Sequence, residues 1–330
     1  MNKRVKTLRV VSAVLLLSLL SGVSLCFAGG EKEADDGGLK AAIVFNGPVS
    51  DGGWNADCYQ GMMQLKEKLG YEIAYSENVK QADYVSAFRE YANLGYDLIV
   101  CPGFEFSDAV HEVYADYPDT KFAVINGGFT AENVASMGHN NVQAGFLAGV
   151  IAGLYSKSNV AGYVGGTEIP PIVDAQTGME RGLRYINPDA KLIATMAGSW
   201  SDMAKGKEIA LSQISTANVD VIFGFASAVN AGIIEGCAEK GAAVIGEPGD
   251  LLDLNPDVII TSVIISNPRL IMMAGEKVAQ GTFSGEAIIG DLNNGGVDVG
   301  RYNSKMAAAD QKKIQDIIEK IKSGEIDVTK

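Results

Sequence analysis

The chain has 330 residues, with 27 Lys and Arg against 40 Asp and Glu, a formal balance of −13. Such a surface repels phosphate backbones and anionic lipid head groups, which argues against nucleic acid or membrane surfaces as partners. Only two histidines and four cysteines are present, which leaves little material for His-based catalysis or for a metal centre.

The first element in chain order is an export signal. Lys3, Arg4, Lys6 and Arg9 precede an apolar run from Val10 to Leu20 that is too short to span a bilayer. Small residues then lead to Cys26 and Ala28, which suit a cleavage site, so residues 1–28 are expected to be a signal peptide. A second reading stays open. "VSLC" is near a lipobox, with Leu25 where a small residue is usual, which would make Cys26 a lipid anchor. Either way the protein is expected to be periplasmic or otherwise extracytoplasmic, and loss of the four basic residues lowers the balance to −17. Residues 29–39 are polar and glycine-rich, a flexible leader. About 300 residues remain, room for two domains.

Strands are predicted at "KAAIVF" (40–45), "YEIAYS" (71–76), "DLIVC" (97–101), "KFAVI" (121–125), "VAGYVG" (160–165), "KLIATMA" (191–197), "DVIFGF" (220–225), "AAVIG" (242–246) and "DVIITSVI" (257–264). They are β-branched and continuous rather than alternating, as in strands buried on both faces of a parallel sheet. Helices lie between them. Cys58, Met62, Leu65 and Leu69 make one apolar stripe, and Ser107 is placed to cap a helix lined by Val110, Tyr114 and Tyr117. Repeated strand–helix–strand units imply an α/β fold with two doubly wound parallel-sheet lobes, a hinge and an interlobe cleft. Lobe 1 is expected to hold 40–138 and about 267–284, and lobe 2 to hold 139–266 and about 285–330, with 133–139 as a connection. Cys58, Cys101 and Cys237 sit in apolar surroundings at no metal-ligand spacing and read as buried hydrophobes.

Unusual residues collect at the carboxyl ends of these strands, where open α/β sheets bind ligands. Asp51, Trp54 and Asn55 follow the first strand, Phe104 and Phe106 the third, and Asn126 the fourth. Trp200 and Asp202, then Phe225, Ser227 and Asn230, then Glu247 and Asp250 follow successive strands of the second half. Aromatics flanked by amides and carboxylates suit a flat, neutral, hydrogen-bonding ligand. Singly, each has a duller reading: Asn126 as a turn residue, Asp202 as a helix cap, and Phe104, Phe106 or Phe225 as core. Trp54, in a glycine-rich loop, is the one best explained as a cleft wall. No GxSxG, P-loop or dinucleotide spacing appears, so no catalytic residue, metal or cofactor is expected.

"DGGWN", "NVQAGFLAGVIAGLYSKSNVAGYVGG", "GMERGLRYINPD", "SWSDMAKGKEIALSQI" and "DVIFGFA" resemble, in order and spacing, the basic membrane protein family. These are extracytoplasmic substrate-binding proteins of ABC transporters, of the purine nucleoside receptor type. The resemblance runs from about residue 40 to about residue 285. It implies a periplasmic binding protein fold of type I, with three crossovers and a purine held between aromatics. It also implies that Trp54 stands where a stacking phenylalanine is usual, that Asn55 is retained, and that Asn126 replaces an aspartate. Pro248 falls where the family often has an aspartate and Ile265 where lysine is common, so partners for sugar hydroxyls are fewer. The expected function is capture of a nucleobase or nucleoside by a monomer and its delivery to a membrane permease. Trp54 with Phe225 or Trp200 would sandwich the ring, Asp51, Asn55, Asn126 and Asn230 would read its polar edge, and Glu247 and Asp250 would take any sugar. A ligand-presenting sensor of the same fold and an enzyme acting on nucleosides are the alternatives.

Overall fold

The computed structural model describes residues 37–50 and 53–330; the export segment 1–28 with Cys26, leader residues 29–36 and Asp51 lie outside the described residues. Leu39–Lys330 form one body built on two six-stranded sheets. The first sheet contains β1 (Lys40–Val44), β2 (Glu72–Ser76), β3 (Leu98–Cys101), β4 (Lys121–Ile125), β5 (Val134–His139) and β11 (Ala287–Gly290). Their order is β11-β5-β4-β3-β1-β2, all parallel. The second contains β6 (Val160–Gly165), β7 (Lys191–Met196), β8 (Val221–Phe225), β9 (Ala243–Gly246), β10 (Ile259–Ile265) and β12 (Val297–Val299). Its order is β12-β10-β9-β8-β6-β7, parallel except for β12, which runs antiparallel to β10.

All nine strands expected from the continuous apolar runs are present. Central strands such as β3 and β9 are buried at every residue, because helices cover both faces. The outer strands β2 and β7 are only partly buried, although their sequences read alike. On the first sheet α1 (Trp54–Leu69) and α8 (Asn267–Ala279) cover one face, while α2 (Tyr84–Asn93) and α3 (Ser107–Val113) cover the other. On the second sheet α4 (Asn141–Tyr155), α5 (Pro170–Ile186) and α9 (Ala308–Lys322) face α6 (Met203–Ala217) and α7 (Val229–Lys240) across the strands. The stripe on α1 is confirmed at Cys58, Met62 and Leu65, which are fully buried, and it frays at Leu69. Cys101 and Cys237 are likewise buried free thiols.

Three expectations need correction. Residues 134–139 are not merely a connection: β5 pairs with β4 and gives β11 its edge. Ala287–Gly290, grouped with the second lobe from sequence, is a strand of the first sheet. Ser107 does not cap α3, because a 3-10 turn over Phe104–Phe106 leads directly into the helix; its hydroxyl instead accepts from the Gly128 N–H at 3.2 Å.

The chain passes between the sheets three times, at His139–Asn141, at Ile265–Asn267 and between β11 and β12. These passages are bonded to one another. The Asn140 N–H donates to the Gly290 carbonyl at 2.8 Å and the Ser266 N–H to the Gly296 carbonyl at 2.9 Å. A Cβ on Gly296 would fall 2.1 Å from the Gly290 Cα, so only glycine permits this approach.

The tightest helix contact joins α4 to α5. α4 is buried from Gln143 to Ala152, so it is apolar around its whole circumference rather than amphipathic. A Cβ on Gly149 would lie 2.1 Å from the Met179 carbonyl oxygen, and one on Gly182 would lie 2.0 Å from that of Phe146. Backbone atoms cannot yield as a flexible side chain would, so the helix axes must separate to admit a methyl group. Gly149→Ala should therefore lower stability in urea denaturation by about 1–3 kcal/mol, even though alanine favours a helix by roughly 1 kcal/mol. Unchanged or increased stability would show that the axes are not held by this contact.

Candidate functional site

In each sheet the strand order reverses once, between β1 and β3 and between β6 and β8. The carboxyl edge at such a reversal is open, because the flanking crossovers leave on opposite faces, and ligands of doubly wound sheets bind there. In this chain both reversals are bridged by a hydrogen bond, and both carry a tryptophan.

At the first reversal the Trp54 indole N–H donates to the Pro102 carbonyl at 2.5 Å, tying the loop after β1 to the loop after β3. The ring is half-buried and packs against the core beneath, so Trp54 supports the loop it ties down. Asn55 is buried, with its amide nitrogen 3.0 Å from where a Cβ on Gly47 would lie, under the same loop. Asn46 donates to Glu105 at 2.8 Å across the two loops. Phe104 is 63% exposed at this edge, whereas Phe106 is core. Asn126 closes β4 in the left-handed region at φ 56° and donates its N–H to the Met137 carbonyl at 2.6 Å, which sets it beside β5. Asparagine tolerates that conformation better than other non-glycine residues.

At the second reversal the Gly166 N–H donates to the Phe225 carbonyl at 3.1 Å. Trp200 lies on Gly166, where a Cβ would meet the ring at 2.2 Å, and it remains 40% exposed. Phe225 stacks on Phe223 with centroids 5.9 Å apart and planes 21° from parallel, so its inner face is committed to the core. Asn230, in the first turn of α7, donates to the buried Glu247 at 2.5 Å. Asp250 takes a different part: it accepts from Arg301 Nε at 2.5 Å, and Arg301 also reaches Asp253 at 2.8 Å. Asp202 caps α6, accepting from the Lys205 N–H at 2.9 Å.

Two residues near the first reversal were passed over in the sequence. Asp57 stands one turn after Trp54 on α1, and Asn267 opens α8 at the second interlobe passage with no exposed surface. Burial pushes the Asp57 carboxyl up to about 6, opposed by the backbone and side-chain amides of Asn267. Burial also pushes Glu247 up to about 7, against bonds from Asn230 and from the backbone of Ala226 and Ser227, with the Asp57 charge adding to the rise. Each carboxyl belongs to a different lobe. His139, in the first passage, is held down to about 4 by burial and is neutral at ordinary pH.

These shifts set a pH dependence. A carboxyl with a raised folded pKa binds protons more tightly folded than unfolded, so stability falls as pH rises from its unfolded value through its folded one. For Glu247 that interval runs from about 4.5 to about 7. His139 acts oppositely between about 4 and 6.5, which makes substitution the clean probe. Measured by thermal unfolding, Glu247→Gln should gain on the parent chain as pH is raised from 5 to 8; a difference independent of pH would contradict the shift.

Comparison with known proteins agrees with this geometry. The family model Bmp, described as ABC transporter substrate-binding protein PnrA-like, matches residues 39–330. The transcriptional activator protein med of Bacillus subtilis is 26% identical over 320 residues, covering 96% of this chain and 98% of that protein. A purine-binding protein of Brucella abortus is 28% identical over 316 residues, covering 94% of this chain and 88% of its own length. The crystal structure of an ABC transporter solute-binding protein from Aeropyrum pernix superposes with a TM-score of 0.74 at 23% identity, covering 88% of this chain and 92% of that one. The two parallel-sheet lobes are therefore those of the periplasmic binding protein type I fold. The chain belongs to the Bmp family of PnrA-like ABC transporter substrate-binding proteins.

Proposed function

We propose that the chain captures a purine base or nucleoside outside the cytoplasm, in the cleft between its lobes, and presents it to the permease of an ABC transporter. One observation carries the reading: aromatic surface is exposed at the carboxyl edge of both sheets, Trp200 on one and Phe104 on the other, beside the half-buried Trp54. A flat heterocycle gains stacking area from both lobes only when they close on it, so binding energy offsets the cost of closure, and the closed form is what a permease recognises. The similarity to a purine-binding protein supports a purine in particular. Asn55, Asn126 and Asn230, with Asp51, read the polar edge; Glu247 lies at the junction, and Asp250 acts through Arg301 to hold its loop rather than by touching ligand. Loss of sugar partners at Pro248 and Ile265 favours bases over nucleosides, since Ile265 is buried among apolar neighbours. The protein works as a monomer.

Substrate-binding proteins of ABC transporters are extracytoplasmic, and no helix among the described residues is long and apolar enough to cross a membrane. Residues 1–28 direct export here, with release by cleavage preferred to anchoring through Cys26. Similarity to a chain named a transcriptional activator favours a second reading, a ligand-presenting sensor. Cleft and ligand are the same in both; copurification with a permease distinguishes them.

A thermal-shift panel of bases, nucleosides, sugars and amino acids tests the proposal. A ligand at a hundred times its dissociation constant stabilises the fold by about 2.7 kcal/mol. Purines should shift the transition while sugars and amino acids do not; the reverse would refute the purine reading. Trp200→Ala should weaken purine binding by about 1–3 kcal/mol, with little change in the transition temperature of the free protein, because the ring is 40% exposed.

A further inference from the structure

Three N–H groups at the carboxyl edge of the second sheet converge on one buried side chain. Glu247 follows β9 directly and is 5% exposed. Asn230 Nδ2 donates to its Oε1 at 2.5 Å, and the backbone N–H groups of Ala226 and Ser227 donate to the same carboxylate. An ionised carboxylate suits this place because it only accepts; a protonated carboxyl or an amide would set a donor against donors. The loop that it holds does not hold itself. Ser227 lies in the left-handed region at φ 55°, which costs a residue with a Cβ, and α7 begins after Ala228 without a side-chain cap. Glu247, on a neighbouring loop, supplies the acceptor that a capping residue would otherwise provide.

From that loop a series of backbone bonds runs to the exposed aromatic surface. Phe225, the residue before Ala226, accepts at its carbonyl from the Gly166 N–H at 3.1 Å, and the Gly166 carbonyl accepts from the Gly198 N–H at 2.9 Å. The Trp200 ring lies on Gly166, so close that a Cβ there would meet it at 2.2 Å. The loops after β6, β7, β8 and β9 are thus joined in series, with Glu247 at one end and Trp200 at the other. On the far side of Glu247 the Pro248 carbonyl accepts from the Ile265 N–H at 2.7 Å, at the start of the second interlobe passage.

We infer that Glu247 is a positioning residue, whose carboxylate fixes the loop 226–230 and through it sets Phe225 and Trp200 as the ligand-facing wall of the second lobe. It acts through those residues and not by touching the ligand. The inference rests on the purine reading above and deepens it by naming what holds one wall of the cleft. Burial, opposed by the three donors, brings the ionisation of Glu247 to about 7. Two other acids face it. Tyr163 on β6 donates to the Ile172 carbonyl at 2.7 Å and, buried beside the Glu247 charge, keeps its proton far above that pH. Asp57 of the first lobe adds its own charge and ionises at about 6. As pH falls through about 7, Glu247 takes a proton, gives up acceptor capacity to a donor and releases the loop, so the wall loosens and affinity for a stacked ring falls.

Trp54 and Trp200 are the only two tryptophans, so in a Trp54→Phe background fluorescence reports Trp200 alone. In the free chain its emission and its quenching by acrylamide should titrate between pH 5 and 8 with a midpoint near 7. That titration needs no substitution at Glu247, and it should vanish in Glu247→Gln, which should resemble the parent at pH 5 throughout. No titration, or one that survives Glu247→Gln and so belongs to Asp57, overturns the inference. Calorimetric titration of the full chain with adenine and hypoxanthine, neither of which changes charge in this interval, reads the consequence for binding. Affinity should fall about tenfold from pH 8 to pH 5 in the parent, and Glu247→Gln should bind about tenfold more weakly at pH 8 with little further change at pH 5. Affinity indifferent to pH and to the substitution overturns the inference and leaves purine capture standing. Failure of both purines to bind, with the Trp200 titration intact, refutes the purine reading and leaves the hold of Glu247 on its loop standing.

Discussion

The architecture depends on three short passages of chain that are hydrogen-bonded to one another at the lobe junction. Asn140 to Gly290 and Ser266 to Gly296 are backbone bonds between passages far apart in sequence, and the close approach of Gly290 and Gly296 locks them side by side. Because every passage is only a few residues long, the carboxyl edges of the two sheets have little choice but to face each other. Arg269 Nε, bonded to the Asn294 carbonyl at 2.9 Å, and Gln143, accepting from the Leu292 N–H at 3.1 Å, fasten the helices on either side to the same knot. Relative motion is then confined to rotation about the knot, which is the hinge type of closure.

That geometry explains why polar groups are buried beside the hinge. A junction sealed by apolar side chains would hold the lobes in one arrangement. Here Glu247 and Asn267 are buried, Glu247 bonded by Asn230, while Asp57 and Asn230 are partly buried with one oxygen each out of reach of water. Such groups cost stability, and both carboxyl pKa values are displaced upward as the direct expression of that cost.

Much of this was legible in the sequence, and the failures have physical causes. Runs such as "LIVC" and "AVIG" announce themselves because a strand covered on both faces has no room for polar residues. β5 was hidden because "VASMGH" mixes Ser, Gly and His into a strand near the sheet margin, with three of its six residues only partly buried. β11 is four residues long and obtains its identity from pairing with β5, a long-range contact that local pattern does not encode. Trp54 and Trp200 stand out in the sequence because a large aromatic beside glycine is conspicuous, and the structure sets them at the two strand-order reversals. Asp57 and Asn267 were missed because each has an innocent local reading, an acid in a helix first turn and an asparagine before proline. The spacing of Asp57 from Trp54, three residues on a helix and hence the same side, was the signal available. Asp250 looked like a ligand group until its distant partner Arg301 was seen, a pairing across 51 residues.

The central claim is that a purine is held by both lobes at once and closes them. Small-angle X-ray scattering of the purified chain, with and without a saturating purine, measures this directly. A smaller radius of gyration on saturation, reversed when the ligand is removed, is the expected result. Saturable purine binding with no change in the scattering curve would contradict it, since the ligand would then sit on one lobe alone.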